Sequence, residues 1–302
     1  MRLSFHTLDV FTDRRFAGNP LAVVRDAGRL SSEQMQAIAR EFNLSETVFL
    51  LPPRDPVNTA RVRIFTPAQE VPFAGHPTVG TAVLIAETEG AEILAKQELV
   101  VALELEIGLV SCEVRRSAKR VSRAQFAIPR LPEKLGEADA AVAAAALGLD
   151  AGDICFDDHR PTIYSAGFPV TFVPIRSRDA IARARPDMRH WDKLVAPPGS
   201  GACYLYTKQT AQEEHHVHAR MFAPSFGIVE DPATGAAAAA FAGVALEFER
   251  PEDGEHILVI EQGIEMGRPS KIVLTMDVAS GLLASVSIGG EAVIVSRGEI
   301  EV

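Results

Sequence analysis

The sequence predicts an α+β protein of two similar lobes, each a strand-rich, barrel-like sheet around one central helix, related by a pseudo-twofold internal repeat. Three observations lead there. Short segments recur in the same order at nearly one spacing: Gly18-Asn19-Pro20-Leu21-Ala22-Val23-Val24 returns as Gly167-Phe168-Pro169-Val170-Thr171-Phe172-Val173, Arg63-Ile64-Phe65-Thr66-Pro67 as Arg220-Met221-Phe222-Ala223-Pro224, and His76-Pro77-Thr78-Val79-Gly80 as Asp231-Pro232-Ala233-Thr234-Gly235. Each match alone is weak; three in order point to duplication. Strand-like runs dominate both halves. Each half also holds one helical run with almost no polar face, AAAAAFAGVA at 236–245 and AVLIA at 82–86. A helix that is apolar all round is a buried one.

In chain order, β-branched and apolar runs predict strands at 3–11, 45–51, 61–65, 99–105 and 109–115. A helix is expected over 32–42, capped by Ser31 or Ser32, with Gln34 three residues after Ser31. A second begins near His76-Pro77, where proline suits the first turn because its missing N–H has no helical partner there. The second half reads as strands at 163–175, 202–206, 218–222, 257–260, 271–276, 283–288 and 292–296, with helices at 137–147, 178–184 and 232–248. The lobes are expected as 1–120 and 121–302, because apolar alternation stops where Arg115, Arg116, Lys119, Arg120 and Arg123 cluster, read as a solvated linker. Whether the last strands pair back with the first lobe is left open.

Composition bounds the function. At 302 residues, 47% apolar and 23% charged, the chain has the material for a sizeable core. The net charge of −10 argues against nucleic acid, which needs a basic surface. The longest apolar stretch, around 234–246, falls short of the roughly 20 residues that span a bilayer. The start, MRLSFHTLDVF, lacks a signal-peptide layout, so a cytoplasmic protein without membrane partners is expected. Cys112, Cys155 and Cys203 are odd in number, widely spaced and set among apolar runs, which reads as buried thiols. The histidines of EEHHVH (213–218) raise a metal site, with His216 and His218 on one strand face. No HExxH spacing accompanies them, so no metal is expected. Nucleotide-binding glycine loops and a GxSxG elbow are also missing.

Chemistry concentrates at the starts of the two apolar helices. A helix start offers unpaired N–H groups and the positive end of the dipole, which favour a carboxylate. Gly75 and Gly80, and Gly227 and Gly235, let a ligand approach the backbone. If the lobes face each other, the two starts share one cleft. His76 and Asp231 occupy equivalent positions there. Alone, Asp231 reads as an N-cap and His76 as an ordinary helix-start residue; their equivalence favours function. Glu46, in the apolar run SETVFL, is expected to have a raised pKa if buried, as a proton shuttle needs. Its ordinary reading is a solvent-facing strand residue.

The segments FAGNPLAVV (16–24), SETVFL (45–50), RIFTPAQEVPFAGHPTVGTA (63–82) and EDPATGAAAAAFAG (230–243) resemble the motifs of the PhzF-like family of phenazine biosynthesis, which shares the diaminopimelate-epimerase fold. The resemblance spans nearly the whole chain. It implies an isomerase in which Glu46 shuttles a proton and His76 and Asp231 hold or polarise the substrate. It also implies a homodimer, with no metal or organic cofactor. Asn19, Gly75, Gly235 and Ala236 are then the candidate substrate-binding residues, and the substrate is a small carboxylated metabolite. One departure stands out: relatives close to the phenazine enzyme carry serine where this chain has Ala236, which argues against the phenazine intermediate itself. A cysteine pair, as in amino-acid epimerases of this fold, is also missing from the helix starts. The alternative is a non-catalytic small-acid-binding or interaction protein that retains the fold. Ala236 favours that alternative; Glu46, His76 and Asp231 together favour the enzyme.

Overall fold

Runs of buried apolar residues build the first strands, 21–24 in one and 48–51 in another. The structure, a computed structural model, describes residues 1–117, 121–195 and 200–302. It divides into two compact units, Met1–Ala127 with Gly289–Val302, and Ile128–Ile288.

In the first unit the elements are β1 (Arg2–Val10), β2 (Asn19–Val24), α1 (Ser32–Phe42), β3 (Glu46–Leu51), β4 (Ala60–Phe65), β5 (Glu70–Val71), α2 (Gly75–Glu89), α3 (Ala91–Leu94), β6 (Leu99–Leu105), β7 (Gly108–Arg116) and β8 (Ser122–Ala127). β1–β2, β3–β4, β6–β7 and β7–β8 pair antiparallel, while β2–β3 and β4–β6 pair parallel. The last strand of the chain pairs with both β1 and β8, which closes an eight-stranded ring. α2 lies against β1, β2, β3, β6, β7 and β8, with every residue from Gly75 to Ala86 buried. Closure of the ring leaves no open edge to the sheet, and the enclosed helix supplies its core. α1 packs outside, where Met35 and Ala39 join Phe49 and Phe65. Its N-terminus is a capping box: Gln34 N–H donates to Ser31 Oγ and Ser31 N–H to Gln34 Oε1.

The second unit contains β9 (Glu133–Glu137), α4 (Ala140–Leu147), β10 (Thr162–Ser165), β11 (Pro169–Pro174), α5 (Arg178–Arg183), α6 (Met188–Val195), β12 (Cys203–Thr207), β13 (Val217–Ala223), β14 (Ile228–Asp231), α7 (Gly235–Glu249), β15 (Gly254–Gln262) and β16 (Ser270–Ala279). β17 (Leu282–Glu301) contributes residues to both units. The first unit's pairing pattern returns: β10–β11 antiparallel, β11–β12 parallel, β12–β13 antiparallel, β13–β14 antiparallel, β13–β15 parallel and β15–β16 antiparallel. α7 is buried from Ala237 to Ala245 and packs on β9, β10, β11 and β16. Trp191 of α6 anchors an outer core with Leu147, Ile181, Leu194 and Phe222. The internal repeat read from three short segments is therefore a repeat of hydrogen-bond topology.

Several expectations need correction. The strand at 163–175 is a hairpin, because Gly167 sits at φ +113 between β10 and β11. The helix at 137–147 starts at Ala140, where Asp139 accepts from Ala141 N and Val142 N. The strands at 283–288 and 292–296 are one strand, β17. The basic cluster is not a linker: Arg115 and Arg116 lie on β7 and Arg123 on β8, where Arg115 pairs with Arg123 and Arg116 with Ser122. Lys119 and Arg120 lie outside the described residues. His216 and His218 do not share a strand face, since His216 precedes β13 and is exposed while His218 is buried. Cys112 and Cys203 are buried and Cys155 half-buried; burial pushes the Cys112 thiol up to about 12 and Cys203 well above its ordinary value.

Candidate active site

Glu46 opens β3, in parallel register with Leu21 of β2. Every other residue of β3 is buried, so the run anchors the strand while Glu46 keeps 16% side-chain exposure at its mouth. His76 is the second residue of α2 and is 4% exposed. The two side chains meet in the first unit, with His76 Nε2 3.3 Å from Glu46 Oε2. Burial lowers the His76 pKa from 6.5 to about 3. The pair is thus a neutral imidazole beside a carboxyl group, not an ion pair. Nothing in the sequence spacing dictates this contact; it arises because β3 and α2 are adjacent in the barrel.

The start of α2 is otherwise prepared for an anion. Its N-cap, Ala74, provides no side-chain cap, and no acidic residue occupies the first turn. Early N–H groups, that of Gly75 among them, therefore lack an intrahelical acceptor. Thr78 Oγ1 donates to Ala74 O at 2.8 Å and braces the turn. Asn19, fully buried, begins β2 opposite Val10. The preceding Gly18 cannot be replaced without strain, because it sits at φ +66 and a Cβ would lie 2.3 Å from Val10 O.

In the second unit Asp231 is not the cap of α7. It ends β14, opposite Met221, and the N-cap position belongs to Thr234. Thr234 Oγ1 donates to Asp231 Oδ2 at 2.6 Å. Gln262, fully buried at the end of β15, holds this turn: Nε2 donates to Asp231 O at 2.7 Å and to Thr234 Oγ1 at 3.1 Å, and Oε1 accepts from Thr234 N at 3.2 Å and Tyr204 Oη at 3.2 Å. Burial first, and then the charge of Asp231, push the Tyr204 phenol well above its ordinary value. Gly235 is buried and Ala236 half-buried in the first turn of α7. Thr234 was legible as part of EDPATG; Gln262 and Tyr204, far along the chain, carried no sequence signal.

Register also shows that the duplication is chemically unequal. Thr47 pairs with Phe65 and Cys203 with Phe222, so the counterpart of Glu46 is Ala202. The carboxylate is a property of the first unit alone. The suspected metal histidines are engaged otherwise: His218 Nδ1 and Nε2 lie 2.7 and 2.8 Å from Glu261 and Glu265, and His216 Nδ1 accepts from Val259 N at 3.0 Å.

Comparison with known proteins agrees with this architecture. The sequence model of the family described as phenazine biosynthesis-like protein, PhzC-PhzF, matches residues 8–298. An uncharacterized isomerase of Mesorhizobium japonicum is 48% identical over 97% of this chain and 96% of its own. The trans-2,3-dihydro-3-hydroxyanthranilate isomerase of Pseudomonas aeruginosa is 33% identical over 96% of both chains. A crystal structure of a Bacillus anthracis phenazine biosynthesis protein of the PhzF family superposes with a TM-score of 0.89 at 26% identity, covering 100% of both chains. Relatives named as isomerases, matched end to end, speak against the alternative of a fold kept only for binding. A repeated pattern of strand pairing around a buried helix and a family match over nearly the full length lead to one conclusion: this protein is an isomerase of the phenazine biosynthesis-like PhzC-PhzF family.

Proposed function

We propose that this protein isomerises a small carboxylate-bearing metabolite by cofactor-independent proton transfer, with Glu46 as the acid/base. The observation that carries the reading is the 3.3 Å contact between Glu46 Oε2 and a His76 held neutral by burial. A C–H bond of the substrate breaks, its proton passes to the Glu46 carboxylate, and the same group returns it to a different carbon. His76 is too weak a base in its buried site to take that proton near neutral pH, so the proton stays on Glu46. The helix-start amide of Gly75 suits a substrate carboxylate. Asp231, braced by Thr234 and Gln262, is assigned to substrate orientation, with Asn19, Gly235 and Ala236 as binding residues.

The relative named for trans-2,3-dihydro-3-hydroxyanthranilate supplies a first test compound, but Ala236 offers no hydroxyl to a substrate carboxylate, so a different small acid is the expected substrate. The experiment incubates the protein in deuterium oxide with a panel of small carboxylates that includes that compound. Deuterium should enter recovered substrate or product, and Glu46→Gln should slow the exchange by at least roughly a hundredfold. Unchanged turnover by Glu46→Gln on the active compound would remove Glu46 from the mechanism.

A further inference from the structure

We propose that the end of the first barrel remote from Glu46 binds a multivalent oxyanion, a phosphate or polycarboxylate, between Arg29, Arg54 and Arg61. A cavity of about 750 Å³ opens there, lined by Arg25, Arg29, Arg54 and Arg61 and by two carboxylates, Asp26 and Glu89, while the charge of Arg54 also acts on Glu104 beyond the lining. A cationic cleft stands out on a chain whose net charge is −10. Arg25 is committed within the protein: it donates to Thr88 Oγ1 at 3.1 Å and to Glu89, and so offsets the negative end of α2. Arg29, Arg54 and Arg61 make no side-chain ion pair among the described residues. Arg61 goes further, because its Nε is buried and has no hydrogen-bond partner among them. A buried donor left unmet is costly, which suggests a missing acceptor.

The internal repeat shows what satisfies this position elsewhere. Arg61 pairs with Glu104 across β4 and β6, and His218 pairs with Glu261 across β13 and β15. Both glutamates grip the loop before their strand. Glu104 accepts from Arg54 N, Asp55 N and Asn58 Nδ2 at 2.8, 2.9 and 2.9 Å. Glu261 accepts from Ala211 N at 2.5 Å and bonds His215 Nδ1 at 2.7 Å. In the second unit the ring of His218 is also bonded, by Glu261 and by Glu265 from the β15–β16 connection. In the first unit that connection is the tight β6–β7 turn; its Glu106 acts on Arg63, and neither Glu106 nor Glu104 forms an ion pair with Arg61 among the described residues. Arg54 stands where the repeat has Ala211, on a loop that Glu104 holds in place. The first unit thus adds one cation, Arg54, keeps Glu104 as the counterpart of Glu261, and has no equivalent of the Glu265 contact on Arg61. Two or three guanidinium forks on a fixed frame suit a ligand that accepts paired hydrogen bonds.

The cleft is separate from the candidate active site. β3 runs from Glu46 to Leu51, roughly 16 Å at strand rise, and α2 runs from His76 to Glu89, roughly 20 Å at helix rise; Leu51 and Glu89 both line the cleft. The test is calorimetric titration of the full chain with inorganic phosphate, pyrophosphate and citrate, each against chloride at equal ionic strength. Pyrophosphate or citrate should bind, and the stronger of the two identifies the ligand chemistry. Arg54→Gln and Arg61→Gln should each raise Kd about tenfold or more, whereas Glu46→Gln should bind as the wild type does. Arg54 is exposed, so its replacement leaves the core intact. Absence of binding by all three anions, or binding that both arginine variants retain in full, would overturn the proposal. Neither result touches the assignment of Glu46.

Discussion

His76 shows how strongly one buried residue depends on its surroundings. Its ring is almost fully buried next to Glu46, and burial holds its pKa near 3 against an ordinary 6.5. The unfolded chain takes up a proton on this ring as pH falls through 6.5, while the folded chain does not until about 3. The neutral site therefore contributes its full stability above 6.5 and loses it as pH falls, by up to about 1.4 kcal/mol per pH unit. Urea unfolding of wild type and His76→Gln across pH 3.5–7 isolates this contribution, because every other titrating group is common to both. The stability difference should change in the variant's favour as pH falls. Parallel pH curves would mean that His76 takes up its proton over the same pH range in the folded protein as in the unfolded chain. Its ordinary reading as a helix-start residue was correct as to place; its contact with Glu46 was not legible, since 46 and 76 are joined only by the packing of β3 against α2.

At the scale of elements, the central helices are built for enclosure more than for helix propensity. Gly80 interrupts α2, and alanine there would favour an isolated helix by about 1 kcal/mol. Inside this barrel an added Cβ would lie 2.7 Å from both Leu21 Cδ2 and Val10 Cγ2, two branched side chains buried on β2 and β1. Overpacking of a tight core costs roughly 1–3 kcal/mol, so packing wins. Gly80→Ala should lower the urea midpoint with an unchanged m-value; a stabilised variant would show that the β1–β2 wall yields easily. The same logic separates legible elements from the others. The capping box at Ser31 and the apolar runs of β6 and β7 are local signals and were readable. α6 was not, because Trp191 and Leu194 take their meaning from an outer core shared with α4 and β12.

For the whole molecule, the decisive element is β17. Its residues Ala292–Glu301 pair with β1, and it also pairs with β8, so the first barrel is closed by the end of the chain. Removing 289–302 would expose the facing edges of β1 and β8 and the core beneath them. The truncated chain should lose cooperative thermal unfolding of the first unit and gain hydrophobic-dye binding. Retention of the wild-type midpoint would show that seven strands suffice. Among the described residues no helix is long and apolar enough to cross a membrane, and the apolar helices α2 and α7 are buried against the strands of their own units.

The amino-acid sequence by itself determined the α+β class, the repeat, the two enclosed helices and the place of His76 at the start of one of them, because periodicity, capping and duplication are written in neighbouring positions. Only the tertiary structure decided that Glu46 meets a neutral His76, that Asp231 ends a strand with Gln262 behind it, that Ala202 stands where the repeat would have a second glutamate, and that Arg61 makes no ion pair among the described residues where His218 is bonded by two glutamates. Those facts depend on strand register and burial, which join residues far apart in the chain and leave no local pattern to read.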